Sequence, residues 1–311
     1  MGVAFPDGVG ATWTDLLDPD RADLEQVCPG NLHPRALDRL VAPAEAPGDE
    51  PRPTLEAHTG YVFGVFLVAV AVPDEDTVFY QEVDIVITPD RLVTVRKTPQ
   101  GRPPFDPKGV REAIGDDRDA GMVAYQLVDD VAESYLDLID ELNNEIDELE
   151  DAIETWPGPR IRARLSDLRH DMLRIRRTLA PTRDAVRRVV DNRVDLEGGV
   201  EVFSEDVELH FADAYDKLLR ASEGLELCRD LVAGARDYYQ SMVAQDQNEV
   251  TKRLTAIASI LLVPTFIVGL YGQNFRDMPE LRWGWGYWWS WSLIIVTTAA
   301  QIVYFRRKRW L

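Results

Sequence analysis

Cysteine and histidine are scarce: 311 residues hold two cysteines, Cys28 and Cys228, and four histidines. The cysteines stand in no metal-ligand spacing, so they read as free thiols in a reducing compartment. His33 and His58 read as surface or cap residues. The chain also lacks a P-loop, a G-x-G-x-x-G after a strand and any Cys/His cluster, which leaves no catalytic pattern and no catalytic cofactor to assign. "MGVAFPDGVG" has neither a basic n-region nor an apolar core, so the N-terminal body is expected to stay in the cytoplasm. Three further absences organise the rest. No Lys or Arg lies between Asp119 and Pro159, no proline lies from Thr182 to Val263, and no charge lies within Leu254–Tyr271 or Tyr287–Phe305.

The two uncharged runs have 18 and 19 residues. As helices they reach about 27 Å or slightly more, against a bilayer core of about 30 Å. Lys252 and Arg253 precede the first run, and "RRKR" at 306–309 follows the second, whereas the intervening loop balances its charges. Positive charge on the inside then puts both termini in the cytoplasm and the loop 272–286 outside. Trp283, Trp285, Trp288, Trp289 and Trp291 cluster at the outer interface, with Trp310 at the inner one.

Charge divides the same way. The net charge is −20, yet residues 252–311 carry +6 and residues 1–251 carry −26. A body that acidic repels nucleic acid and gathers cations. Within it, "YVFGVFLVAVAV" (61–72), "TVFYQEVDIVIT" (77–88) and "RLVTVRK" (91–97) read as strands, and "APAEAPGDEPRPT" (42–54) reads as a loop. From Tyr125 the period becomes helical. Leu127, Val131, Tyr135, Leu138, Leu142, Ile146, Leu149 and Ile153 form a coiled-coil-type seam with acidic flanks. "WPGP" (156–159) turns the chain into a second helix, 160–191, with ten arginines against four aspartates. The two faces form an antiparallel hairpin of complementary charge. Beyond "EGG" (197–199), one helix running from near Ser204 to Tyr271 has about 68 residues and spans about 100 Å.

On the first span, Asn248, Thr251, Leu254, Ala258, Leu262, Thr265 and Gly269 share one face. Small residues there suit close helix packing. Arranged around a symmetry axis, the same stripe lines a pore, with Leu254 and Leu262 as collars that gate by dewetting. Two spans cannot enclose water, so a pore requires several copies. "YGQNF" (271–275) stands at the outer end of the stripe. Alone it reads equally well as a helix cap. As a ring, its backbone carbonyls and the Asn274 amide offer neutral oxygens to a hydrated cation such as Mg²⁺, which gives up its waters reluctantly.

"NEVTKRLTAIASILLVPTFIVGLYGQNFRDMPELRWGWGYWW" and the terminal "YFRRKRWL" closely resemble the CorA family of magnesium and cobalt channels, in the two-span Gly-X-Asn superfamily that includes ZntB-type zinc transporters. Weaker similarity covers "TWTDLLDPD" (12–20), "LHPRALDRL" (32–40), "ELNNEIDELEDAI" (141–153) and "LAPTRDAVRRV" (179–189). The resemblance implies a funnel-shaped homopentamer in the plasma membrane. Its parts are an α+β cytoplasmic domain of α/β/α type (1–120), an acidic/basic helical hairpin (121–199) and a stalk helix (200–253). A first transmembrane pore helix (254–271), an external loop with Gly-Gln-Asn (272–286), a second transmembrane helix (287–305) and a basic cytoplasmic tail (306–311) complete it.

By the same resemblance, Gly272, Gln273 and Asn274 form the ion-selectivity ring, and Asn248, Thr251, Leu254, Ala258, Leu262, Thr265 and Gly269 line and gate the pore. Asp237 supplies a carboxylate ring on the stalk, and Asp213 with Asp38 forms a regulatory divalent site. Arg306, Arg307, Lys308 and Arg309 make a basic collar. Asn274, Asp237 and Asp213 are the residues expected to meet the metal. Three positions depart from the family pattern. Gln273 replaces methionine, Arg276 stands where an acid often follows "NF", and Arg39 stands where the regulatory site's second acid falls. The expected function is Mg²⁺ and Co²⁺ uptake down the electrochemical gradient. The alternatives are a ZntB-type Zn²⁺ transporter, with or without proton coupling, and a membrane-anchored coiled-coil scaffold or sensor. Expected partners are copies of the chain, divalent cations and the lipid bilayer, and not nucleic acid.

Overall fold

A computed structural model describes residues 12–72, 77–114, 119–194, 196, 201–273 and 278–311. The chain divides into two compact units, Met1–Ala235 and Arg236–Leu311.

The first unit is built on five strands: β1 (Thr12–Leu17), β2 (Thr54–His58), β3 (Tyr61–Val72), β4 (Thr77–Thr88) and β5 (Arg91–Arg96). Their order across the sheet is β1-β5-β4-β3-β2, with β1 parallel to β5 and every other pair antiparallel. β3 and β4 are near-continuous apolar runs because both faces of the sheet are covered. On one face, helices α1 (Arg21–Val27) and α2 (Pro34–Val41) set Leu24 and Leu40 against Tyr61, Val86, Val93 and Val95. The alternate β4 residues Val83, Ile85 and Ile87 are equally buried on the other face. Of the helices after α3 (Lys108–Ile114), α4 (Ala120–Ala152) packs along β3, β4 and β5, and α5 (Gly158–Val190) packs on β2. The unit is thus an α/β/α sandwich. His33 does cap: its Nδ1 accepts the Arg35 N–H at 3.1 Å at the start of α2, with Pro34 preset for the first helical position.

Every residue of the predicted seam, Leu127 through Ile153, is buried. α5 returns beside α4 with Arg164 paired to Glu145 at 3.0 Å, but others of its arginines look elsewhere. Arg174 reaches Glu50 in the proline-rich loop, and Arg188 donates to the Leu55 carbonyl of β2. α6 (Glu205–Tyr271) is a single helix of 67 residues. Its first half runs parallel to α4. Tyr125 meets Phe211, Asp129 and Glu133 hold Lys217 at 2.8 and 2.9 Å, and Asn143 accepts from Cys228. At Gly224 the helices come so close that a Cβ would stand 2.7 Å from Ile139 Cγ2.

The second unit contains the rest of α6, a short 3-10 turn (Pro279–Arg282) and α7 (Gly286–Arg307). α7 ends in a Schellman motif. Arg309 takes a φ of 57°, Trp310 N–H bonds the Phe305 carbonyl at 2.9 Å, and Arg309 N–H bonds that of Arg306 at 3.1 Å. The Trp310 ring stacks on Phe305 across the cap.

Replacing Gly224 by leucine forces α6 off α4, because Ile139 presents a stiff β-branched methyl. The expected loss is about 1–3 kcal/mol, seen as a lower thermal midpoint of the detergent-solubilised protein. An unchanged midpoint would show that the two helices do not meet there.

Candidate functional site

The end of α6 has two unlike faces. Ala256 and Ile267 are buried, and Ser259, Ile260 and Val263 are half-buried. Gln301 of α7 donates its Nε2–H to the Ser259 carbonyl at 3.2 Å, so this face turns to α7. Half-buried Leu293, Ile294, Thr297 and Thr298 share the helical face of Gln301 on α7. At 3.6 residues per turn, the predicted stripe falls about half a turn away. Asn248, Thr251, Leu254, Ala258, Leu262, Thr265 and Gly269 are all exposed, Leu254 at 63% and Leu262 at 68%. Among the described residues nothing covers that stripe, and leucines so bare require a cover of lipid or further protein.

The helix stops at the mouth motif. Gly272 N–H bonds the Val268 carbonyl at 2.9 Å, and Gln273 N–H reaches that of Leu270 at 3.4 Å. Gly272 does not take a positive φ. What glycine provides is room, since a Cβ there would lie 3.0 Å from the Val268 oxygen. Gly272 and Gln273 are both exposed. Asn274, and Arg276 beyond it, lie outside the described residues.

Asp237 and Asp213 stand exposed on α6, and Asp38 stands exposed on α2 in an ion pair with Arg21 at 2.8 Å. Among the described residues, no three His, Cys, Asp or Glu side chains come together to hold a metal, so one chain alone assembles no such site around Asp213 or Asp38. Arg306, Arg307, Lys308 and Arg309 are exposed at the C-terminal end of α7, where cations suit the helix dipole. The Cys28 and Cys228 thiols are both pushed up to about 11 by burial, which makes them inert packing groups.

Sequence reasoning missed what Arg39 does. Its guanidinium bridges Glu45 and the buried Glu82, each at 2.8 Å, while its carbonyl accepts from Lys97 Nζ at 2.9 Å. Lys97 in turn sits 2.6 Å from Glu82 and 3.0 Å from Asp84, all three buried. Two acids spaced i, i+2 in the apolar strand "YQEVDIVIT" were the available signal, because that spacing puts both on one buried face. Burial pushes the Asp84 carboxyl up to about 7; Lys97 opposes this only in part, and Glu82 adds to it.

The CorA-like Mg²⁺ transporter protein family matches residues 9–307, and the chain belongs to that family. The cobalt/magnesium transport protein CorA of Thermotoga maritima is 29% identical over 317 residues, covering 99% of this chain and 86% of that protein. The complete structure of the CorA magnesium transporter from Methanocaldococcus jannaschii superposes with a TM-score of 0.76 at 19% identity, over 99% of this chain and 94% of that one. The ZntB cytoplasmic domain from Vibrio parahaemolyticus superposes with a TM-score of 0.57 at 15% identity, over 76% of this chain and 89% of that one. This is a membrane transporter family, and α6 and α7 are both long and apolar enough to cross a bilayer.

Asp84 has a folded value above its ordinary 3.8, so folding takes up a proton between 3.8 and about 7. Its contribution to stability is full below 3.8 and is lost as pH rises through about 7. Asp84→Asn therefore removes part of the pH dependence. Between about pH 5 and about pH 8 the wild-type thermal midpoint should fall relative to that of the variant; parallel curves would place the Asp84 proton elsewhere.

Proposed function

We propose that the chain is a divalent-cation channel that assembles as a homopentamer and takes up Mg²⁺, and also Co²⁺, across the plasma membrane. The observation that carries this reading is the exposed stripe of α6, set opposite α7 and ending at Gly272 and Gln273. Copies arranged with α7 outward place Thr265, Leu262, Leu254 and Asn248 around a common axis, with Asp237 as a carboxylate ring on the stalk. Gly272, Gln273 and Asn274 form the outer ring, and a hydrated ion rests on their neutral oxygens without being stripped. Both termini face the cytoplasm, and the residues at 306–309 surround the inner mouth.

No nucleotide is needed. An inside-negative potential of 100 mV contributes about 4.6 kcal/mol per divalent ion, twice the single-charge figure. The −26 charge of residues 1–251 gathers cations on the cytoplasmic side. Closure by cytoplasmic Mg²⁺ is expected to run through Asp213 and to be weak in this chain. Asp38 is already paired with Arg21, and Arg39 is committed to the sheet.

Proteoliposomes holding the intact oligomer should admit Mg²⁺ and Co²⁺ under an inside-negative potential, Zn²⁺ competing poorly and a pH gradient having no effect. Flux no greater than in empty vesicles would remove the channel reading. Zn²⁺ flux that requires a pH gradient would turn it into that of a zinc transporter. Asn274→Ala should cut Mg²⁺ flux at least tenfold, equivalent to about 1.4 kcal/mol. A scaffold or sensor that merely uses the spans as a tether would tolerate that change.

A further inference from the structure

Three successive carbonyls of α6 lie in the turn below Pro264: that of Ile260 loses its helix donor, and those of Ser259 and Leu261 each accept an additional side-chain bond. Proline has no N–H, so the Ile260 carbonyl loses the donor that residue 264 would supply. The Leu261 carbonyl accepts the Thr265 hydroxyl at 2.7 Å, a back-bond that bends helices. The Ser259 carbonyl accepts Gln301 Nε2–H from α7 at 3.2 Å. Spans tolerate proline where a neighbouring helix satisfies or braces the disturbed backbone. Here Gln301, in an uncharged stretch of α7 that also holds Thr297 and Thr298, does the bracing.

Packing alone does not account for that glutamine. Among the described residues its buried Oε1 has no partner, nor has Thr298 Oγ1 one turn earlier on α7. A leucine would fill the same space and leave no oxygen unsatisfied, which is the cheaper way to join two helices in lipid. The braced turn, however, carries Leu262 and Thr265 on its opposite side, both exposed on the stripe.

The geometry points to Gln301 as a positioning residue for conduction. Through its bond to the Ser259 carbonyl it holds the proline-weakened turn of α6 back against α7, and so keeps the Leu262 collar from collapsing onto the axis. This rests on the channel reading above. Without the brace, apolar attraction among facing Leu262 side chains draws the turn inward and closes the path by dewetting.

A flux cycle of four proteins, normalised per assembled oligomer, tests it: wild type, Gln301→Leu, Pro264→Ala and the double variant. Gln301→Leu should keep the oligomer's size and melting temperature and lower Mg²⁺ influx about threefold, the fold-change one interhelical hydrogen bond in a membrane is worth. In the Pro264→Ala background, where residue 264 again donates to Ile260, the same change should have no further effect. Wild-type flux from Gln301→Leu, or an equal fall in both backgrounds, would overturn the proposal. If Gln301→Leu does not assemble, Gln301→Met keeps the length without the donor. Failure of both to assemble would make the residue's role purely structural. Wild-type vesicles that carry no Mg²⁺ would instead overturn the channel reading itself, whatever the variants do.

Discussion

In hydrocarbon a peptide group has no water to turn to, so a spanning chain must satisfy its backbone within itself. The unbroken course of α6 through its uncharged run, Leu254 to Tyr271, follows from this. Its one proline, Pro264, sits where α7 and the Thr265 hydroxyl attend to neighbouring carbonyls. The same constraint shapes the mouth. A helix leaves its last carbonyls without intrahelical donors, and α6 ends at the point where the apolar run gives way to Gly272 and Gln273. Stopping a helix at a membrane surface thus presents neutral oxygens there, which is what a hydrated divalent ion can use. The helix end seen at Gly272 and the ion ring proposed for "YGQNF" draw on the same unpaired carbonyls.

The first unit solves a different problem, how to keep a strongly acidic body folded. Surface ion pairs contribute little each, and the tight geometry lies in two buried hubs instead. Asp15 on β1 takes the Arg96 guanidinium at 2.8 and 2.9 Å, the Thr94 hydroxyl at 2.9 Å and Arg111 of α3 at 3.2 Å. This hub ties β1 and α3 to β5. The second hub, Glu82, Asp84, Lys97 and Arg39, ties α2 to β4 and the end of β5. Losing Arg96 from the first hub, or Lys97 from the second, strips a buried carboxylate of its nearest cation, so both favour one arrangement of helix on sheet.

Those hubs also mark where the sequence stops being readable. β3 and β4 can be read to the residue, because strands buried on both faces are unbroken apolar runs between turn residues. The α4 seam and the span lengths are equally plain, since period and charge state them directly. β1 is not: "TWTDLL" has no apolar run, and its parallel place beside β5 depends on contacts about eighty positions away. β2 hides for a related reason, being five residues long at the end of a proline-rich loop. At the site, helical spacing makes the stripe legible, while a lone Gln301 has no periodic companion and acquires meaning only beside Ser259. Arg39 shows the opposite limit. Comparison of patterns marks it as a departure, and only the fold shows that its charge is spent inside the first unit.

Gln273 is the substitution that bears most directly on the ion. A thioether is a soft ligand, and a carboxamide oxygen is hard; exchanging one for the other at a mouth moves it toward ions that hold water tightly. Zinc is served by imidazole and thiolate. All four histidines and both cysteines of this chain occur before residue 236, in the first unit. The two described residues of the motif, Gly272 and Gln273, offer only neutral oxygen and nitrogen. On the channel reading proposed above, a ring built from such groups suits hydrogen-bonding to the water around Mg²⁺. On that reading, a carboxamide in place of a thioether at residue 273 favours a hydrated hard cation over a softer one.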